Sequence, residues 1–219
     1  MTKRIVFVTG SGDRDKWVWR IAQELSKSDV ILSHFIATTK KNVDVLQALG
    51  TRGDDITTIF ALKEKSKPDF QYLKECERKY NLNIWDLWLG SAVRNKKRQA
   101  MDINEIFSYF QYVFEKSERL LASFKPEYYL CYGAAAFHAI IIREVFRQNG
   151  VKIIDLRASV IRHRFSIFKD LSNQDPLLTA IYHQLKDKDI PEKERTEAEK
   201  FITQFQNKPL KPDCADKPK

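Results

Sequence analysis

The sequence predicts an α/β fold: a parallel sheet with helices on both faces, followed by C-terminal helices. Three observations carry this. Short β-branched and aromatic runs alternate with amphipathic helical segments between residues 4 and 156, and turn residues separate them. The runs EYYLCY (127–132) and VKIIDL (151–156) are joined by one helical segment closed by Gly150. Strands linked this tightly through a helix pair in parallel, with a right-handed crossover.

In chain order, RIVFVT (4–9) reads as a buried first strand and GSGD as the turn after it. In the helical segment that follows, Trp17, Val18, Ile21, Ala22 and Leu25 share one face, and Asp15 is placed to cap the helix amides. VILSHFIA is the second strand, residues 43–49 a short helix ending at Gly50, and ITTIFAL (56–62) the third strand. A charged helix is expected from Asp69 to Tyr80, and the segment after it, with Trp85 and Trp88, shows no clear period. The sharpest helical signal is 102–124, where Ile103, Ile106, Phe107, Phe110, Val113 and Phe114 begin an apolar stripe behind an Asp102/Glu105 capping pattern. Lys125-Pro126 breaks it before the fourth strand. Beyond residue 171 two helices and a Pro/Lys tail are expected, giving three parts: a sheet domain over 1–170, a helical extension over 171–206, and a disordered tail or linker over 207–219.

Composition narrows function. With 43% hydrophobic and 31% charged residues, the 219-residue chain can bury a core, yet it is too short for two full nucleotide-binding domains. Lysine and arginine number 38 against 29 acids, a net +9 that favours anionic partners, including an acidic membrane surface. Cys76, Cys131 and Cys214 are too scattered for a disulfide framework or a zinc site, so no disulfide partner, metal or cofactor is expected. No signal peptide or membrane span is visible, which points to a cytoplasmic protein, with peripheral attachment at the inner membrane face left open.

Three loops at strand ends carry the candidate chemistry. The first is Gly10, Ser11, Gly12, Asp13 and Arg14. Its third dinucleotide-type glycine is replaced by Asp15 and no P-loop lysine is present, so it reads either as a tight turn or as a ligand-lining loop. The second is Gly133 with His138, an imidazole near the start of a helix, suited to base chemistry or to packing. The third is the basic stretch Arg157, Arg162, His163 and Arg164, whose guanidinium forks suit phosphate or carboxylate and which also fits a solvated loop. Arg94, Lys96, Lys97 and Arg98 form a further basic patch, and Trp85 and Trp88 suit core packing better than a sugar platform.

Residues 3–170 resemble the amino-terminal half of bacterial capsule and surface-polysaccharide biosynthesis proteins of GT-B glycosyltransferase-like architecture. The resemblance rests on KRIVFVTGSGDRDKWVWRIAQEL, ERKYNLNIWDLWLGSAVR, KPEYYLCYGAAAFHAIIIREVFRQNGVKIIDL and SVIRHRF. Two family motifs are altered, with Val93 in place of an acid before Arg94 and Val160 in place of an arginine. The resemblance implies a Rossmann-like domain facing a glycan or lipid-linked acceptor, while a second domain grips the nucleotide sugar. That second domain has no room here, so the chain is either part of a longer transferase or a relative that works with a partner. It also implies that His138 or Asp13 serves as general base, with no turnover by this chain alone. The competing expectation is a non-catalytic nucleotide- or nucleic-acid-binding module. The segment from Lys186 onward has nine bases and eight acids, which leaves most of the excess charge on the sheet domain.

Overall fold

A β-strand shows successive side chains to opposite faces, and in β1 (Lys3–Val8) both sets are apolar and buried. Val6 and Val8 join one core with Ile36, Tyr129 and Cys131, whereas Ile5 and Phe7 face the other way and Phe7 stacks on Phe35 at 5.5 Å. Such a strand belongs inside a sheet covered twice. The computed structural model describes residues 2–10, 14–28, 31–60, 67–92, 102–132, 136–158, 165–168 and 176–207, in two compact units divided after Ile154.

In the first unit β1 is flanked by β2 (Ile31–Ala37) and β4 (Tyr128–Tyr132), with β3 (Ile56–Thr58) outside β2 and β5 (Lys152–Ala158) outside β4. The order β3-β2-β1-β4-β5, all parallel, is the predicted Rossmann-like α/β arrangement. Helices α1 (Arg14–Ser28) and α2 (Lys40–Ala48) cover the Phe7 face, burying Val18, Ala22 and Leu46. The Val6 face is covered by α3 (Phe70–Tyr80), α4 (Ile84–Ala92), α5 (Ile103–Phe124) and α6 (Phe137–Gln148).

Local chemistry sets the boundaries. Thr39, Asp69 and Asp102 cap α2, α3 and α5 through side-chain oxygens that accept early amide protons. Asn81 and Lys125 end α3 and α5 in the left-handed region, at φ 50° and 49°. Two expectations change. The third strand stops at Thr58 rather than residue 62, and the Tyr112 and Tyr109 hydroxyls donate to the carbonyls of Thr58 and Ile59 (3.1 and 2.6 Å). The aperiodic segment at 84–92 is helical: the Asn83 side chain accepts from the Asp86 amide, and Ile84 and Leu87 turn inward.

In the second unit the end of β5 pairs antiparallel with β6 (Phe165–Phe168), a strand the sequence did not predict, in the register Asp155↔Phe168 to Ala158↔Phe165. Helices α7 (Pro176–Leu185) and α8 (Glu192–Asn207) follow as expected.

Polar groups of the first unit are tied in small clusters. Glu118 of α5 accepts from Tyr72, from Tyr80 and from Lys79 (2.8 Å), which clamps α3 to α5. Burial pushes its carboxyl up, but these three donors outweigh it and hold Glu118 below its ordinary value. Burial also raises the Cys76 thiol to about 11. In α6 the buried Arg143 and half-exposed Arg147 both bind Glu144, Arg143 at 2.8 Å and Arg147 at 2.6 Å. Glu144→Ala leaves the Arg143 charge buried with no counter-ion, and urea denaturation is expected to show a loss of about 3–5 kcal/mol.

His34 of β2 is buried, contacts Thr57 Oγ1 at 2.8 Å and packs against Phe124. Burial lowers its pKa below 6.5, with the Asp55 charge working in the opposite direction. The folded state therefore favours the neutral ring, so this contribution is complete above pH 6.5 and declines as the pH falls below it. Urea midpoints measured between neutral and mildly acidic pH should fall less in His34→Gln than in the parent.

Candidate functional site

The strand order reverses between β1 and β4, because the chain leaves β1 toward β2 and returns to the other side of β1 through β4. Crossover helices then diverge to opposite faces and leave a crevice at the strand carboxyl ends, where open α/β sheets bind ligands. The segments bordering it are those after β1 and β4, which contain two of the three predicted loops.

The β1 side is braced by a network that sequence reasoning did not assemble. Thr9 donates its amide and its hydroxyl to the Ile36 carbonyl, each at 3.0 Å, and its hydroxyl accepts from the Thr38 amide at 3.3 Å. Asn42 is the hub. Its Nδ2 donates to the Gly10 carbonyl at 2.8 Å and to Asp15 Oδ2 at 2.7 Å, while its Oδ1 accepts from the Thr38 and Thr39 hydroxyls at 3.0 and 2.7 Å. Hydroxyl donors at one end and acceptors at the other fix the amide's orientation. Asp15 Oδ1 accepts the Gly10 amide at 3.2 Å, so both backbone groups of Gly10 are held from opposite sides.

Asp15 is 1% exposed. Burial raises its pKa above 3.8, opposed by the hydrogen bonds from Asn42 and Gly10 and by the charge of Lys41. The sequence placed Asp15 as a cap for the helix amides. The carboxylate is instead hydrogen-bonded back to the loop before the helix, and this accounts for an acid where dinucleotide loops carry their third glycine. The signal was available: a short acid at the second residue of the helix, with Asn42 three residues after Thr39 in a capping pattern.

On the other side of the crevice, Tyr132 ends β4 and meets Trp17 of α1 edge-on at 5.8 Å and 81°. His138 is the second residue of α6, and its ring lies 5.4 Å from that of Phe137. The first unit thus places Gly10 after β1 and His138 after β4. Arg14 opens α1. Arg157 belongs to the second unit, where it donates to Asp155 Oδ2 through Nε (3.0 Å) and Nη2 (2.9 Å). Ser11, Gly12, Asp13, Gly133, Arg162, His163 and Arg164 lie outside the described residues. Trp85 is half exposed and Trp88 packs against the core, so only Trp88 follows the core expectation. Among the described residues no group of three or more acids, histidines or cysteines is arranged to hold a metal ion, and no helix is long and apolar enough to cross a membrane.

Strand order and crevice define the class, a Rossmann-like α/β protein with its open end at the β1/β4 reversal. No protein-family model matches the chain and no curated protein matches it. Among solved structures, a UDP-N-acetylglucosamine 2-epimerase is similar at 13% identity with a TM-score of 0.43, over 74% of this chain and 35% of its own. The UDP-GlcNAc 2-epimerase from Neisseria meningitidis bound to UDP-GlcNAc gives 14% identity and 0.41, over 74% and 33%. Phenylacrylic acid decarboxylase from Aquifex aeolicus gives 14% and 0.26, over 87% and 100%. The chain spans about a third of the two epimerases. The fold assignment rests on strand order and register, independently of these likenesses.

Asn42→Asp sets a second carboxylate against Asp15, and two such groups in contact share a proton. The pair's pKa is then raised, so the variant's stability should be lost as pH rises and recovered on acidification, read by denaturation at successive pH values. Asn42→Ala leaves the buried Asp15 short of a donor and should cost about 1–3 kcal/mol without that recovery.

Proposed function

We propose that the first unit is the acceptor-side domain of a glycosyltransferase of surface-polysaccharide assembly, acting with a separate domain that holds the nucleotide sugar. The observation that supports this most is the braced carboxyl end of β1. Gly10, at the carboxyl end of β1 beside the strand-order reversal, donates its amide to the buried Asp15 carboxylate, which Asn42 also holds. A pyrophosphate drawn to this helix start would meet that acid, whereas a hydroxyl-rich, uncharged acceptor would not. The same acid disfavours a nucleotide-binding module. The resemblance of residues 3–170 to surface-polysaccharide proteins supplies the reaction class.

In this reading His138, in the first turn beyond β4, takes the proton from the acceptor hydroxyl as sugar transfer begins, and Asp13 is the alternative base. Arg157, Arg162, His163 and Arg164 fall in the second unit, and their donors suit an anionic group. Titration calorimetry with neutral oligosaccharides, a lipid-linked acceptor analogue and nucleoside diphosphates tests it. Acceptor binding is expected to exceed nucleotide binding and to weaken on the order of tenfold in His138→Ala, the size of one lost hydrogen bond to a polar partner. Sugar transfer by the chain alone would overturn the half-enzyme reading, and preferred binding of nucleic acid with a steep salt dependence would favour the binding-module alternative.

A further inference from the structure

A cavity of about 450 Å³ opens on the Phe7 face of the first unit, within the size range of small-ligand sites. The sheet contributes Ile31, Ser33 and Phe35, alternate residues of β2. One wall is the face of α1 that carries Trp19, Gln23 and Ser26, and the other is the chain leaving α2, with Leu49 and Thr51. The cavity lies well away from the crevice. Ile31 begins β2, whereas the crevice lies at the strand carboxyl ends, and from Ile31 to Ala37 the strand rises about 20 Å.

The α1 wall is uncharged on a helix that is otherwise charged. Trp19, Gln23 and Ser26 recur at helical spacing, while Arg20, Glu24 and Lys27 occupy the next positions round the helix. Among the described residues the lining holds one cation and one acid, Arg52 and Asp55, and these bind each other. Arg52 donates from Nε to Oδ2 at 2.9 Å and from Nη2 to Oδ1 at 3.2 Å. An anionic ligand would find the cation occupied and an acid beside it. A flat hydrocarbon fails differently, because it would strip water from Gln23, Ser33 and Thr51 and return no hydrogen bond. Thr51 already lacks one: its Oγ1 is buried with no hydrogen-bond partner among the described residues. A hydroxyl swings between staggered positions about one bond, so an occupant with hydroxyls of its own can draw it out and satisfy it. The chemistry that fits is a neutral ring with an apolar C–H face to lie on the Trp19 indole and hydroxyl groups around its edge.

We propose that this cavity binds a neutral saccharide, held on Trp19 and hydrogen-bonded by Gln23, Ser33 and Thr51. The site is independent of the sugar-transfer reading, because it stands at the other end of the sheet from Gly10 and His138. The test is heteronuclear NMR of the whole chain, with each tryptophan indole N–H assigned by its Trp→Phe variant. Glucose, N-acetylglucosamine and maltose are titrated in turn, with inorganic phosphate and indole as contrasting probes. The Trp19 signal should shift saturably at millimolar saccharide and stay in place with phosphate and with indole. The shift should persist in His138→Ala, which alters the crevice alone, so the two readings fail separately. Thr51→Val removes an unpaired hydroxyl and should melt no lower than the parent, yet weaken the saccharide titration about fivefold. If the Trp19 signal ignores all three saccharides, or if phosphate or indole moves it as strongly, the proposal is wrong. It is equally wrong if folded Thr51→Val titrates as the parent does, or if the shift vanishes in His138→Ala.

Discussion

A parallel sheet must be covered on both faces, and most of this chain is disposed by that requirement. Alternate residues of β1 are apolar in both sets, so neither face can be left to water without exposing valine or phenylalanine. The two coverings differ. Among the described residues the Phe7 face carries two helices and the Val6 face four, with α5 and α6 supplying Phe110, Val113, Phe114, Ile141 and Ile142 to the larger core. The four-helix face holds the polar clamps, the half-buried Glu118 and the buried Arg143–Glu144 pair, and in the latter burial makes partner loss expensive.

The same requirement produces the crevice. Once helices must lie on both faces, the chain has to change direction across the sheet somewhere, and it does so at β1/β4, where neighbouring crossovers separate. An open edge of this kind needs support where β1 ends. Asn42 and Asp15 provide it from α2 and α1, gripping both backbone groups of Gly10. The geometry trades phosphate-binding glycines for a buried acid. It holds both backbone groups of Gly10 in place at the rim.

Much of this was legible residue by residue. The strands at 4–9, 127–132 and 151–156 follow from β-branched and aromatic composition, and the 102–124 helix from its 3.6-residue stripe, because those signals reflect local periodicity. The extent of the third strand was not legible, since residues 59–62 have strand composition while the carbonyls of Thr58 and Ile59 are taken by tyrosines some fifty residues away. Nor was α4, where Trp85 and Leu89 break the apolar stripe by facing outward.

By itself the sequence determined the α/β class, the parallel pairing of the strands, the cap at Asp102, and which loops follow which strands. These depend on periodicity and on neighbours within one turn. Only the tertiary structure decided that Asp15 serves Gly10 rather than its own helix, that Asn42 joins them from another helix 27 residues on, and that Phe70 and Trp85 meet over Phe107. Such contacts join residues distant in the chain, and no local pattern encodes the partner of a buried polar group or the neighbours of an exposed ring.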